Sequence, residues 1–347
     1  MLVEWQRTLE SVGGRIQDGA VADFNDPEGE LVAAERGETI VTDLSHRTLL
    51  TLTGTEVLSF LQGQVTNDVY PAEHGTPVLG AHLTPKGRVI GELLLFPFED
   101  GFALDLPGDL APTLTKRLTM FILHADVRLI DASSDWVRLG VAGEGAREAA
   151  AQAVGTQSLV PEGVTRGERG TAVPLSGPEP AFMVVVPPES AREAWTAAAA
   201  TARGVGKHGW ELARIRAGVP DLGPATTETF IPQETNLEPL GGISYTKGCY
   251  TGQEVVARTK HLGRLKRRLY RVIADTPLTP GQAVYAEGAD KTQGRIVRAA
   301  PRPQGGSEAL AVLRIETVEG GTPLVPEGGQ AALRIESLPY PLPETSD

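Results

Sequence analysis

Only one cysteine, Cys249, occurs in the 347 residues. A lone thiol allows no disulfide within the chain, so nothing points to secretion. No apolar run approaches the length of a membrane span. The opening stretch, M-L-V-E-W-Q-R-T-L-E, is charged and mixed, without an apolar signal core. Six histidines are scattered without metal-ligand spacing, so no metal site is expected. Neither G-x-x-x-x-G-K-[ST] nor a G-x-G-x-x-G after a strand is present, which leaves nucleotide binding by the common routes without support. Positive charge is also short. The formal net charge is −12 and the pI about 5.1, which argues against stable nucleic-acid binding. A cytoplasmic enzyme or binding protein, with no membrane association, is the expectation.

What is present fits a globular chain long enough for two or more lobes: 41% hydrophobic and 22% charged residues. Residues 1–45 read as an entry segment, with a short amphipathic helix over Leu2–Val12 followed by a Gly/Asp/Pro loop. Apolar strands are predicted at Val78–Leu83, Val89–Phe96 and Phe102–Leu106, with T-P-K-G-R as a tight turn. Helical spacing marks Leu110–Leu123. A second, similar unit follows from Trp136, with strands at Trp136–Val141 and Phe182–Val186 and helices at Glu144–Val154, Ala191–Ala202 and His208–Ala217. Mixed elements with short hairpin links indicate an α+β fold rather than a doubly wound sheet. Residues 219–243 form a long irregular connection, a feature that is often functional. From about residue 264, short strands between Gly/Pro turns suggest a small all-β barrel or sandwich.

Three places carry candidate chemistry. In K-G-C-Y-T-G-Q-E, Thr251 and Glu254 are spaced as a capping box, which would put Cys249 just ahead of a helix N-terminus with Lys247 beside it. That setting favours a thiolate, although a lone cysteine is often simply buried and structural. His261, on the following helix, is too far along to act as its partner. Glu92 interrupts an apolar strand; either it points outward, or it is buried and needs a partner. Glu234 sits in F-I-P-Q-E-T-N-L, exposed or in a site. The run Arg258, Lys260, Arg264, Lys266, Arg267, Arg268 and Arg271 is either a solvated face or a cationic patch for a polyanionic tail, such as the glutamates of a folate, an RNA or an acidic partner.

These blocks resemble a known family. K-G-C-Y-T-G-Q-E, preceded by F-I-P-Q-E-T-N-L-E-P-L-G-G-I-S, is similar to the signature of the YgfZ family of folate-binding proteins. L-Q-G-Q-V-T-N-D and L-T-P-K-G-R-V resemble that family's N-terminal motifs, in the same order, over about residues 40–320. YgfZ proteins are relatives of the aminomethyltransferase (T-protein) of the glycine cleavage system. The resemblance implies an aminomethyltransferase-like folate-binding fold, with two mixed α/β lobes around a central pocket and a C-terminal β-barrel. On that basis residues 1–263 form the folate-binding region, in lobes of about 1–134 and 135–263, and 264–347 form the barrel. It also implies binding of tetrahydrofolate or a one-carbon derivative, and a role in assembly or repair of iron–sulfur enzymes, including a tRNA-thiolating one, with iron–sulfur client or assembly proteins as partners.

Carried onto this chain, the resemblance makes Cys249 and Lys247 the catalytic candidates, lining or facing the pocket. Lys86, Arg88, Glu92, Gln233, Glu234, Tyr250, Gln253 and Arg258 become the candidate folate contacts. Two departures from the T-protein matter. Glu92 stands where that enzyme has an aspartate, and Met183, in G-P-E-P-A-F-M, stands near a pterin-binding glutamate of the enzyme. Both weaken an aminomethyltransferase or other one-carbon transferase activity, which stays as the alternative. A folate carrier without chemistry is a third reading.

Overall fold

A computed structural model describes residues 1–329 and 331–343. Residues 330 and 344–347, counted with the barrel on sequence grounds, lie outside the described residues. The fold is mixed α/β, with three lobes. The first is a five-stranded antiparallel sheet of Arg47–Thr53, Val78–Leu83, Val89–Phe98, Gly101–Pro107 and Arg128–Asp131. Helix Ala111–Ile122 lays Leu114 and Leu118 against it.

The strand Val89–Phe98 is buried along nearly its whole length, as its apolar run predicts. An irregularity in pairing opposite His82 and Leu83 resets its alternation. Beyond it, Leu93 and Leu95 enter the core of the first lobe. Leu94, Phe96 and Phe98 join the core shared between lobes. Glu92 has the parity of the second set, so it faces the centre of the molecule.

The second lobe holds a six-stranded sheet built around Val137–Ala142 and Ala181–Val186. Its helices Ala146–Val154 and Ala191–Ala199 pack on alanine and Trp195. The N-terminal residues belong here and not with the first lobe. Ile40–Asp43 pairs antiparallel with Val137–Ala142, and Trp5 meets Trp195 edge to face at 6.1 Å. The resemblance implied a sequential division near residue 134; the buried faces of Trp5, Leu9, Val21 and Val41 instead find their partners across the chain. Helix Pro27–Arg36, read as a loop from sequence, is closed by Asp26, which accepts from the Gly29 N–H at 3.1 Å, and by left-handed Gly37. Its buried positions include small Ala33 and Ala34, so its apolar periodicity was faint.

The third lobe is a curled antiparallel sheet of Arg267–Ala274, Ala283–Ala286, Thr292–Pro301, Ser307–Arg314, Leu324–Pro326 and Arg334–Glu336. Helix Lys207–Arg216 joins it to the second lobe. Arg216 and Arg271 grip the fully buried Glu308 from two sides, at 3.0 and 2.8 Å. No helix or strand lies between Arg216 and Gln253 among the described residues, so the long irregular connection is present as read. No helix among them is long and apolar enough to cross a membrane.

The expected capping box does not form. Helix Gln253–His261 begins at Gly252, whose φ is +84°, with no side-chain cap. Glu254 pairs instead with Arg258 at 2.7 Å. With Gly252 at the N-cap, Thr251 lies outside the helix and Glu254 falls at its second position, so the box is out of register; Gly252 itself lies against the T-P-K-G-R turn, where an added Cβ would come within 2.6 Å of the Thr84 carbonyl oxygen. Gly252→Ala should therefore lower the unfolding free energy by about 2 kcal/mol in urea melts, whereas Gly63→Ala, in ordinary contact with its surroundings, should change it by less than about 0.5 kcal/mol.

Candidate functional site

Two assemblies carry the candidate residues. The first is a central cavity of about 650 Å³ at the meeting of the lobes. Leu93, Leu94, Leu175, Met183, Trp210 and Leu237 supply its apolar walls; Glu92, Arg47, Asp105, Arg214, Asp221 and Arg298 supply its charge. Glu92 is 5% exposed. Its Oε2 accepts from the Leu222 N–H at 2.9 Å, while Oε1 has no partner. Burial pushes its pKa up to about 7, only partly offset by the Leu222 amide.

The charges around it form a chain of ion pairs. Arg47 donates to Asp105 at 2.8 Å and to Asp221 at 2.7 Å. Arg298, from the third lobe, pairs with Glu211 and reaches Asp221 at 3.7 Å. Burial works against the charge on Arg47, but the two aspartates outweigh it and raise its pKa. Asp221 also feels burial, yet Arg47 and Arg298 hold its carboxyl below the usual range. Arg214 differs. It stacks over Trp210 and donates to the Ser176 carbonyl at 2.6 Å, forms no ion pair among the described residues, and burial lowers its pKa to about 10. A guanidinium without an ion pair and a carboxylate oxygen without a donor, lining one cavity, suit a neutral ring rich in amide-like donors and acceptors.

The second assembly is where the sequence motifs meet. The Asn67 side chain donates to the Leu79 and Gly241 carbonyls, and Thr66 donates to the Gly242 carbonyl at 2.6 Å. Lys247 Nζ donates to the carbonyls of Val65 at 2.8 Å and Asn67 at 2.6 Å, and sits 5.1 Å from the centre of the Tyr250 ring. Burial lowers the Lys247 pKa to about 8, with Asp68 opposing. So L-Q-G-Q-V-T-N-D and K-G-C-Y are tied together by backbone oxygens. Gly87 lets the T-P-K-G-R turn close on Val255 of the motif helix.

The structure separates what sequence reading had placed in one pocket. Of the ten candidates, Glu92 alone is among the residues lining the cavity. Cys249 is exposed. Lys247 is spent on the 65–67 carbonyls, because a half-buried ammonium takes the oxygens nearest to it. His261 packs against Tyr245, 6.3 Å between ring centres. Arg88 donates to the Thr229 carbonyl and stands 3.4 Å from Glu234, which also accepts from the Ile231 N–H. Gln233 is buried and donates to the Val256 carbonyl at 2.8 Å. Tyr250 is buried, Gln253 half-buried, and Lys86 and Arg258 exposed. Arg47, Asp105, Arg214, Asp221 and Arg298 were not foreseen. Asp105 carried the same signal as Glu92, an acid inside an apolar strand, F-A-L-D-L; the others gave none.

The fold and this cavity define a protein built on the aminomethyltransferase scaffold. Its backbone is similar to that of glycine cleavage system aminomethyltransferase T from Bartonella henselae, with a TM-score of 0.81 at 17% identity over 98% of this chain and 97% of that one. Residues 266–338 match the family model described as CAF17, C-terminal beta-barrel domain. The chain is 33% identical to the tRNA-modifying protein YgfZ of Yersinia pestis (strain Pestoides F), covering 85% of this chain and 91% of the relative. It is 30% identical to the tRNA-modifying protein YgfZ of Pectobacterium carotovorum subsp. carotovorum (strain PC1), covering 89% and 94%. The chain belongs to the YgfZ family.

Because the folded pKa of Glu92 lies above its unfolded value near 4.5, the group contributes stability that is full below about pH 4.5 and lost as pH rises through about 7. Glu92→Gln removes that dependence. Urea unfolding from pH 4 to 8 should show the variant gaining about 3 kcal/mol relative to the wild type across this window.

Proposed function

We propose that this chain is a tetrahydrofolate-binding protein that assists iron–sulfur enzymes, tRNA-modifying ones among them. The observation that carries the folate part is the central cavity, which Arg214 also lines and where buried Glu92 keeps one oxygen without a donor among the described residues. Its walls are mostly apolar with a few convergent charged groups, the usual make-up of a small-ligand site. Glu92 and Asp105, each with a buried oxygen lacking a donor, would accept from a pterin's ring N–H groups, and Arg214 would donate to its carbonyl. A bound one-carbon derivative of tetrahydrofolate would supply a one-carbon unit; the chain's own residues would hold the ring and exclude water.

Family membership supports the tRNA part, since the relatives are named as tRNA-modifying proteins. Exposed Cys249 suits a thiol that meets a client protein rather than one that works inside the cavity. A lone thiolate holds no stable cluster, which normally takes four protein ligands, so any sulfur or iron species there is transient or shared. One observation favours the alternative of a one-carbon transferase. Glu92, poised near neutral pH, has the protonation behaviour of a general acid or base.

Equilibrium binding of tetrahydrofolate to the purified chain tests the common premise. Binding weakened about tenfold or more by Glu92→Ala and by Arg214→Leu is expected; no measurable binding to the wild type sinks the folate reading. Cys249→Ala should bind tetrahydrofolate unchanged yet fail to restore iron–sulfur enzyme activity in cells lacking the protein. Full restoration removes the thiol from the function. Turnover of a one-carbon folate in vitro, abolished by Glu92→Gln, would favour the transferase.

A further inference from the structure

The first lobe carries a surface that neither the cavity nor the motifs use. Helix Ala111–Ile122 runs out through M-F-I-L. Ile122 packs on the core of the lobe, but Met120, Phe121 and Leu123 are 62%, 46% and 81% exposed. A tight turn follows, in which the Ala125 N–H donates to the Ile122 carbonyl and the Val127 N–H to the Ala125 carbonyl, both at 2.8 Å. It leads straight into Arg128–Asp131, the last strand of the five-stranded sheet. Leu129 packs on the same core as Ile122, so the apolar patch and the edge of the sheet are neighbours.

The two edges of this sheet differ. At one, the chain covers Val78–Leu83 itself: the Thr66 N–H donates to the Ala81 carbonyl at 3.0 Å, and Val65 bridges to His82. At the other, Arg128–Asp131 pairs only with Arg47–Thr53. The Ala132 N–H donates to Leu49 on that side. Backbone groups alternate along a strand, so those of Ile130 also face Arg47–Thr53, while the N–H and C=O of Leu129 and Asp131 face outward. No hydrogen bond reaches these four groups among the described residues. The charge beside the patch is also one-sided once internal bonds are counted. Asp126 accepts from the Thr55 N–H and hydroxyl, Asp131 accepts from the Ser133 N–H, and Arg117 pairs with Glu228. Exposed Lys116, one turn before Met120, and exposed Arg128 have neither an ion pair nor a side-chain hydrogen bond among the described residues.

We propose that this face docks an extended, apolar and acidic segment of a partner protein, which adds a strand beside Arg128–Asp131 and covers Met120, Phe121 and Leu123. The outward N–H and C=O groups select another peptide backbone, which can pair with all four. The exposed side chains select apolar partners, and Lys116 and Arg128 select carboxylates. A lipid surface would satisfy the apolar groups and the cations but leave the strand edge unpaired. A second copy of this chain would bring Lys116 and Arg128 against the same charges on the same patch, which costs binding energy. The assignment is independent of the folate reading, since the surface lies outside the cavity.

Fluorescence anisotropy of a short labelled peptide of alternating valine and glutamate, titrated with the full chain, is the test. Saturable binding is expected, weakened about tenfold or more by Leu123→Asp and by Arg128→Glu. Both residues are exposed, so both variants should keep the wild-type unfolding midpoint. The same peptide with lysine in place of glutamate should bind about tenfold more weakly. A fully N-methylated copy, with the same side chains and no amide donor, should not bind. Absence of binding to the valine–glutamate peptide, binding that both variants leave intact, or equal binding of the lysine or N-methylated peptide overturns the assignment. Co-sedimentation with vesicles of phosphatidylcholine and phosphatidylglycerol, or self-association in analytical ultracentrifugation, also overturns it if Leu123→Asp abolishes either one. The face would then belong to a lipid surface or to a second copy of the chain.

Discussion

Asp221 is the point on which the three lobes converge. It lies in the irregular connection, with a left-handed φ of 46°, a conformation that aspartate adopts more readily than most L-residues. Two guanidiniums hold its side chain: Arg47 from the first lobe and Arg298 from the third. Glu211, on the helix that joins second lobe to third, completes the chain through Arg298. The same three residues, Arg47, Asp221 and Arg298, also line a wider cleft of about 1650 Å³ as well as the central cavity. Removing one member of a buried pair strands the other's charge, at a cost of about 3–5 kcal/mol. Lobe arrangement and cavity electrostatics are therefore one property, not two.

The motifs obey a different physical logic. Their residues are chiefly occupied with backbone oxygens: Asn67 with Leu79 and Gly241, Lys247 with Val65 and Asn67, Gln233 with Val256. Each bond fastens a segment that lacks regular structure to one far away in sequence. Irregular segments leave backbone groups unpaired, and buried ones must find partners. The polar motif side chains provide them. What looks in sequence like a catalytic cluster is in large part the framework that holds Cys249 at the surface, apart from the cavity containing Glu92.

How much of this was legible follows from the range of each interaction. The α+β class, the C-terminal β lobe, the long connection and most helices were read from local periodicity, and the fold resembles the aminomethyltransferase as the motifs implied. The apolar strand left Glu92 either outward or buried, and its direction depended on a pairing irregularity that no pattern reveals. Ion pairs such as Arg47 with Asp221 join residues 174 positions apart, and Arg298 comes from another lobe. Nothing local announces such a partner. Helix Pro27–Arg36 was missed because alanine carries little amphipathic signal, and the capping box failed because the helix starts one residue later, with Gly252 rather than Thr251 at its N-cap.

The placement of Ile40–Asp43 has a consequence for synthesis. This strand lies inside the second sheet, between Val137–Ala142 and Arg203–Gly204. The whole first lobe, Arg47 to Asp131, is thus inserted between one strand and its neighbours. As the chain leaves the ribosome, that lobe can close while the strand before it still waits with both edges bare. At about 5–20 residues per second, the wait for Gly204 lasts roughly ten to thirty seconds. The strand is only four residues long and ends in Asp43, whose buried carboxylate later accepts from Trp5. A short edge bearing an acid is a poor template for pairing with another chain, so the residue that later anchors Trp5 also guards the nascent strand.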